Sequence, residues 1–169
     1  MGAECTGKTE LAQQLAAHYG GLWVPEVLRA FCDQHGRTPS PQEQADIMRA
    51  QFDQQEQAQT RAQQAGQPYV FCDTAPLQTA VYSEFYFSDC HLIDCAHAVH
   101  GRYALTLLLQ PDLPWLADGM HRDGDSTRQA VHAAIAHALQ ARHHPYIEVA
   151  GLGPERLQAA IQAVDTLLN

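Results

Sequence analysis

The spacing of apolar residues predicts an alternation of helices and strands along the chain. In segment 9–19, Leu11, Ala12, Leu15 and Ala16 recur at helical spacing, and Gly20-Gly21 ends the pattern. Short apolar runs at 22–24, 69–73, 103–109 and 146–149 are typical of buried strands. Between and after them, helices are predicted at 27–35, 41–65, 76–87, 91–100, from 126 or 127 to about 143, and at 154–168.

This alternation predicts one α/β domain over residues 1–169, with a parallel sheet covered by helices on both faces. A chain of 169 residues is long enough for a single domain with a sizeable core. Ligands of such sheets bind at the carboxyl ends of the strands. The segment 42–67 is rich in glutamine, which we interpret as the solvated surface of a helix.

The start of the chain carries the clearest chemical motif, which fits G-x-x-x-x-G-K-[ST] at every fixed position. Main-chain amides of such a loop form a concavity for phosphate oxygens, and the following helix directs its positive dipole end at the same anion. Lys8 supplies a cation for the β- and γ-phosphates, and the Thr9 hydroxyl can ligate Mg²⁺. An ordinary glycine turn before a helix is the alternative. We predict that ATP binds through Gly2, Glu4, Cys5, Thr6, Gly7, Lys8 and Thr9.

The motif lacks the strand that normally precedes it, because only Met1 stands before Gly2. Without a central strand of ~5–6 residues, ladder groups would stay unpaired and a void would remain. We therefore expect the natural protein to start upstream, with about 6–10 further, mostly apolar residues. A chain extended in this way should be the more stable one.

Two carboxylates follow predicted strands and are candidates for chemistry. Asp73 ends the run 69–73 and can hold Mg²⁺ opposite Thr9, although it could instead cap the next helix. Glu26 follows the strand 22–24 and could bind or deprotonate a substrate hydroxyl, although it could be a solvated first-turn glutamate. Arg29 lies about one helical turn further on, where it could share the pocket or pair with Glu26.

The segment from about 116 to 128 contains glycines and several charged residues, a composition that predicts a mobile lid. Arg122 and Arg128 could close on the transferring phosphoryl group, with Asp118 at the substrate. Trp115 could stack on a flat ring or anchor the loop to the core. A charged exposed loop is the alternative reading of the whole segment.

The composition limits the kinds of partner that the chain is expected to bind. The net charge is −9 and no lysine- or arginine-rich run exists, which argues against nucleic-acid and anionic-membrane surfaces. No apolar run is long enough to span a bilayer, no secretory signal is visible, and five cysteines without framework spacing favour reduced thiols in the cytoplasm. We expect a small-molecule partner and leave a homo-oligomer open.

A cluster of cysteines and histidines supports a different function. Cys90, His91, Cys95, His97 and His100 fall within a short stretch, but their spacing matches no standard zinc pattern. A helix would also scatter these side chains around its circumference. A zinc-binding interaction protein is therefore a rival hypothesis rather than the prediction.

Several motifs, in order along nearly the whole chain, resemble the ribosylnicotinamide kinase domain of the bifunctional NAD-biosynthesis regulators. The resemblance implies a three-layer P-loop kinase fold, here without its first strand, and transfer of phosphate from MgATP to nicotinamide riboside. It implies phosphate binding by Gly7, Lys8 and Thr9, a magnesium-linked Asp73, lid arginines, and a turn ending at Arg156 that borders adenine. The lid is one residue longer than expected, so a different acceptor stays open. The motifs are the phosphate loop, Val24-Pro25-Glu26 with Arg29, Cys72-Asp73-Thr74, and Pro111-Asp112-Leu113-Pro114-Trp115 with Asp118-Gly119 and Arg122.

The sequence therefore predicts an ATP-dependent small-molecule kinase. Lys8, Asp73, Glu26, Arg122 and Arg128 are the predicted catalytic residues, and Glu26, Arg29, Trp115 and Asp118 the predicted substrate contacts. The first rival is an ATP-binding regulatory module that phosphorylates no acceptor.

Overall fold

A computed structural model of the chain describes residues 1–114 and 124–168. Its elements follow the predicted order, and most boundaries fall within a few residues of those expected from the apolar pattern. The order is α1 (Lys8–Tyr19), β1 (Leu22–Val24), α2 (Val27–His35), a 3₁₀ turn (Pro41–Glu43), α3 (Gln44–Ala65), β2 (Val70–Cys72), α4 (Pro76–Phe87), α5 (Ile93–His100), β3 (Thr106–Leu109), α6 (Gly124–Ala141), β4 (Tyr146–Val149) and α7 (Pro154–Leu168).

The strands pair in parallel, as predicted, but in two halves. β1 pairs with β2 in the register Leu22 opposite Val70, and β3 pairs with β4 in the register Thr106 opposite Tyr146. Across the described residues no ladder joins the halves, and a groove of about 360 Å³ lies between β2 and β3. Met1 borders this groove: its amino group donates to the Leu107 carbonyl at 2.8 Å, and its carbonyl accepts from the Leu109 amide at 3.0 Å. An additional strand before Met1 stays a prediction.

Two apolar clusters lie on opposite faces of β3 and give the molecule its layers. Leu108 belongs to a cluster with residues of α4, α5 and α6, whereas Leu109 packs with α1 and α7. Consecutive strand residues point to opposite faces, so this division follows from the pleat. The phosphate-loop helix α1 therefore packs on one face of the sheet, and α4 and α6 on the other.

Local signals fix several helix starts. Ser40 and Glu43 form the predicted capping box, and α4 and α7 begin at Pro76 and Pro154 as expected. The start of α6 differs, because the helix begins at Gly124 rather than after a cap at Ser126 or Thr127. Within residues 1–114 and 124–168, no helix is both long and apolar enough to cross a membrane.

The interpretation of the glutamine-rich segment as a solvated surface holds for most of its glutamines, but it is wrong for three of them on α3. Gln44, Gln51 and Gln55 are buried rather than solvated. Burying an amide is favourable only if its polar atoms are hydrogen-bonded, and Gln51 and Gln55 each bind groups on other segments. The side chains of Gln51 and Gln55 thus belong to the interior of the fold.

The cysteine and histidine side chains of 90–100 lie in different environments. Cys90 and Cys95 are exposed, whereas His97 and His100 turn inward and contact His144. Among residues 1–114 and 124–168, no three histidine, cysteine or acidic side chains are grouped to hold a metal. Cys95, His97 and His100 lie at different positions around α5, as expected for a helix, whereas Cys90 and His91 precede it.

His100 should make the fold sensitive to acid. Burial, and then the neighbouring His144, lower its pKa from 6.5 to about 3, and its Nε2 lies 3.0 Å from the Thr106 hydroxyl. The unfolded chain takes up a proton near pH 6.5, but the folded chain does not, so stability is full above that pH and falls as the pH drops towards about 3. We expect a loss on the order of a few kcal/mol.

Thermal unfolding between pH 7.5 and 4 measures this effect. His100→Gln keeps a hydrogen-bonding group towards Thr106 without the titration, so its melting temperature should depend less on pH. His137→Gln, at an exposed position of α6, is the matched control. Parallel pH curves for the chain and the His100 variant would contradict the prediction.

Candidate functional site

The motif at the start of the chain folds as a tight loop that leads into α1. Gly7 adopts a left-handed conformation with φ 77° directly before the first residue of the helix, Lys8. A side chain at Gly2 would lie 2.9 Å from the Thr6 hydroxyl and 3.1 Å from the Leu109 carbonyl, so only glycine fits there. The Thr6 hydroxyl donates to the Ala3 carbonyl at 2.8 Å and closes the loop from within. The loop thus ends at the N-terminus of α1, a position that favours an anion.

Lys8 reaches across the loop. Its Nζ atom donates to the Ala3 carbonyl at 2.9 Å, and its side chain lines two cavities, one on each side. The loop therefore holds the ammonium group next to its own concavity. Thr9 follows in the first turn of α1 and is half-buried.

Arg156 supports the loop from behind. It is 4% exposed, and its guanidinium donates to the carbonyls of Thr6 (2.6 Å) and Gly151 (2.8 Å) and pairs with Asp112. In a trans peptide the carbonyl and the next N–H point in opposite directions, so this bond fixes where the Gly7 amide points. The predicted nucleotide contact of Arg156 stays a prediction, and its guanidinium is engaged by the protein itself.

The first cavity brings together several of the predicted residues. It has a volume of about 440 Å³ and is lined by Glu4, Cys5 and Lys8 from the loop region and by Glu26 and Arg29 from the start of α2. Glu26 stands at the N-cap of α2, yet its side chain makes no cap hydrogen bond. A cation from the phosphate loop and a carboxylate at the end of a strand thus share one space.

An aromatic wall closes the same cavity. Tyr82, Tyr86 and Phe87 project from the last turns of α4. Burial raises the pKa of Tyr82 above its usual value, so its phenol stays neutral. Gln78 links this wall to the loop, because its amide donates to the Tyr82 hydroxyl at 3.2 Å and accepts from the Gly2 amide at 3.1 Å. These aromatic residues were not among the predicted substrate contacts, although their spacing at i, i+4 and i+5 on the helix after Asp73 was a usable signal.

Asp73 lies at the end of β2 and is only 2% exposed. Its amide donates to the Val24 carbonyl at 2.9 Å, which ties the ends of β1 and β2 together. Its buried Oδ1 atom has no hydrogen-bond partner among residues 1–114 and 124–168, and the N-cap of α4 is Ala75, so Asp73 does not cap that helix. Lys8 and Asp73 line the same second cavity. A buried carboxylate oxygen without a partner is suited to a hard cation such as Mg²⁺.

Arg128 is placed differently from a mobile lid residue. It lies in α6, is 4% exposed, and donates to the carbonyls of Leu113 (2.8 Å) and Pro111 (3.0 Å), while Asp125 pairs with it at 2.5 Å. Its side chain lines the first cavity, but its guanidinium is bonded to the chain on either side of 115–123. A direct catalytic role stays a prediction. Trp115, Asp118 and Arg122, with most of the predicted lid, lie outside the described residues.

A phosphate loop that opens a helix beside a parallel α/β sheet defines a P-loop nucleotide-binding protein. The comparisons agree with this class. The family model described as AAA domain matches residues 1–156, and the chain belongs to this family. No curated protein matches the chain.

A solved structure extends the comparison to the whole fold. A crystal structure of the NadR protein in complex with NR aligns with 99% of this chain at a TM-score of 0.84 and 22% sequence identity. The likeness confirms the predicted P-loop fold and, at the level of fold, the resemblance read from the motifs. This chain covers 50% of that chain, so it spans about half of its length.

Proposed function

We propose that the chain is an ATP-dependent kinase that phosphorylates the 5′-hydroxyl of nicotinamide riboside to give nicotinamide mononucleotide. One observation carries the proposal: Lys8 of the phosphate loop and Glu26 line one cavity of about 440 Å³. The site for the phosphate donor is thereby continuous with a pocket large enough for a nucleoside. The structural likeness to the NadR protein, solved with NR, supports the same acceptor.

The lining of the cavity suits this acceptor. The nicotinamide ring of the riboside carries a positive charge. Tyr82, Tyr86 and Phe87 offer aromatic faces, and Glu4, Glu26 and Asp33 offer carboxylates. Cations bind favourably over aromatic faces and beside carboxylates. A neutral nucleoside would gain less from these groups.

The proposed reaction uses groups that line the two cavities beside the phosphate loop. The acceptor 5′-hydroxyl oxygen bonds to the γ-phosphorus while the bond to the leaving ADP breaks, and Glu26 or Asp73 accepts the hydroxyl proton. Lys8 and the loop amides hold the phosphates and oppose the charge that develops on them. Arg29 and Arg128 line the acceptor pocket, and Arg122 and Arg128 are proposed to neutralise the charge that develops on the transferred group.

Thr9 and Asp73 are the residues that would hold Mg²⁺. The unpartnered buried Oδ1 atom of Asp73 fits this role. Bound with ATP, the ion would neutralise negative charge on the phosphates. The chain contributes to that chemistry by holding Asp73 at a strand end, where the Asp73 amide bonds to the Val24 carbonyl.

A kinase assay tests the proposal. The purified chain is incubated with MgATP and nicotinamide riboside, uridine, adenosine or cytidine, and the mononucleotide products are measured by mass spectrometry. We expect nicotinamide mononucleotide to form fastest. Tight ATP binding without any phosphorylated product would favour the regulatory module instead.

Removing Arg156 should weaken nucleotide binding, because this side chain supports the phosphate loop. Arg156→Met deletes the bond to the Thr6 carbonyl, so the Gly7 amide loses its fixed direction. We expect the dissociation constant for ATP to rise about tenfold, measured by titration calorimetry. Arg142→Met breaks an exposed ion pair with Asp94 and is the matched control. Equal ATP affinity in both variants would show that the Arg156 contacts do not matter for binding.

A further inference from the structure

Helix α3 carries two buried glutamines one turn apart, Gln51 and Gln55, which are 1% and 7% exposed. Residues at positions i and i+4 lie on the same helix face, so both side chains project towards the sheet. α3 packs on β1 and β2. Each glutamine meets the segment that directly follows one of these strands.

Gln51 binds the main chain on both sides of Glu26. Its Nε2 atom donates to the Pro25 carbonyl at 3.2 Å, and its Oε1 atom accepts from the Val27 amide at 2.8 Å. The Val27 amide is a first-turn donor of α2 that has no partner inside its own helix. Gln51 satisfies this donor from another helix, and the Glu26 side chain at the N-cap makes no cap hydrogen bond of its own to the described first turn.

Gln55 holds the second segment. Its Nε2 atom donates to the Thr74 carbonyl at 2.8 Å, next to Asp73, and its Oε1 atom accepts from the Tyr103 hydroxyl. Burial raises the pKa of Tyr103 above its usual value, so this phenol keeps the proton that it donates. The same helix face therefore fixes the segments of both candidate carboxylates, Glu26 and Asp73.

We infer that Gln51 and Gln55 are positioning residues that set where the Glu26 and Asp73 carboxylates stand relative to the phosphate loop. The inference rests on the proposed function, because it assigns these two carboxylates to phosphoryl transfer. The Asp73 amide already ties the ends of β1 and β2 together, and the two glutamine amides of α3 add bonds to the segment after each strand. Displacement of a reacting group by ~1 Å is enough to cost on the order of 10²-fold in rate.

The main test replaces Gln51 by methionine, which is similar in size but makes neither hydrogen bond. We expect kcat/KM for nicotinamide riboside to fall about 10- to 100-fold, while the dissociation constant for ATP stays within about twofold. Gln51→Glu keeps an oxygen for the Val27 amide and should recover part of the loss. Gln54→Met, at an exposed position of the same helix, is the matched control. Gln55→Met should change how the reaction rate depends on the Mg²⁺ concentration, because Gln55 holds the segment next to Asp73.

A double-mutant cycle separates positioning from general support of the fold. If Gln51 acts through Glu26, Gln51→Met should have little further effect on kcat/KM once Glu26 is replaced by glutamine. A residue that only stabilises the fold would lower the melting temperature and leave kcat and KM of the folded protein unchanged. Full additivity, or an unchanged kcat/KM in Gln51→Met, would overturn the inference.

A measurement that needs no catalysis distinguishes this inference from the proposed function. Hydrogen exchange at the Val27 amide should speed up about tenfold or more in Gln51→Met and stay unchanged in Gln54→Met. If the wild-type chain phosphorylates no nucleoside but this exchange changes as expected, the proposed function fails and the glutamine still holds the Glu26 segment. Unchanged exchange would overturn the inference whatever the activity.

Discussion

Lys8→Ala should reduce phosphoryl transfer by about 10²- to 10³-fold, which corresponds to about 3–4 kcal/mol of barrier. The physical reason is the position of its ammonium group, which lies across the phosphate loop at the N-terminus of α1. Charge develops on the transferred group during the reaction, and a cation held in place beside it costs no reorganisation. Initial rates with saturating MgATP and nicotinamide riboside measure the effect.

The control is Arg61→Ala, which removes an exposed cation from α3 and should leave the rate unchanged. Lys8 is also the only lysine in the chain, so an amine-reactive reagent reports on a single side chain. Bound MgATP should slow acetylation of Lys8, measured by mass spectrometry. A Lys8→Ala chain that transfers phosphate at the wild-type rate would refute the assignment of the loop.

Local chemistry explains how much of the fold was predictable. The helix starts at Pro76 and Pro154 and the capping box of Ser40 depend on residues within one turn, and all were predicted. Strand pairing is not local: the apolar runs located the strands, but only three-dimensional packing shows that β1 and β2 form one half-sheet and β3 and β4 another.

The same difference between local and long-range signals applies to the candidate site. Gly7, Lys8 and Glu26 could be placed near one another because motif and strand ends have known positions in α/β sheets. The buried role of Gln51 could not be predicted, because its partner Pro25 lies 26 residues away and a glutamine-rich helix reads as a polar surface. The Arg156 contact with Thr6 spans 150 residues and has no sequence signal.

Asp73→Asn should produce the second large effect, a loss of about 10²-fold in phosphoryl transfer with a loss of the response to Mg²⁺. Asparagine has nearly the same shape, and the bond from the residue 73 amide to the Val24 carbonyl is a main-chain contact, so the fold should persist. What changes is the charge of a buried side chain whose Oδ1 atom has no partner in the part of the chain that the structure describes. A neutral amide oxygen holds a divalent cation less well than a carboxylate.

Calorimetry with and without Mg²⁺ isolates this effect from catalysis. In the wild-type chain, Mg²⁺ should strengthen ATP binding relative to binding in EDTA, and in Asp73→Asn the two affinities should be nearly equal. Asp53→Asn, at an exposed position of α3, is the matched control and should keep the wild-type ratio. If Asp73→Asn also kept that ratio, the metal would be held elsewhere, and the unpartnered oxygen at the end of β2 would need a different explanation.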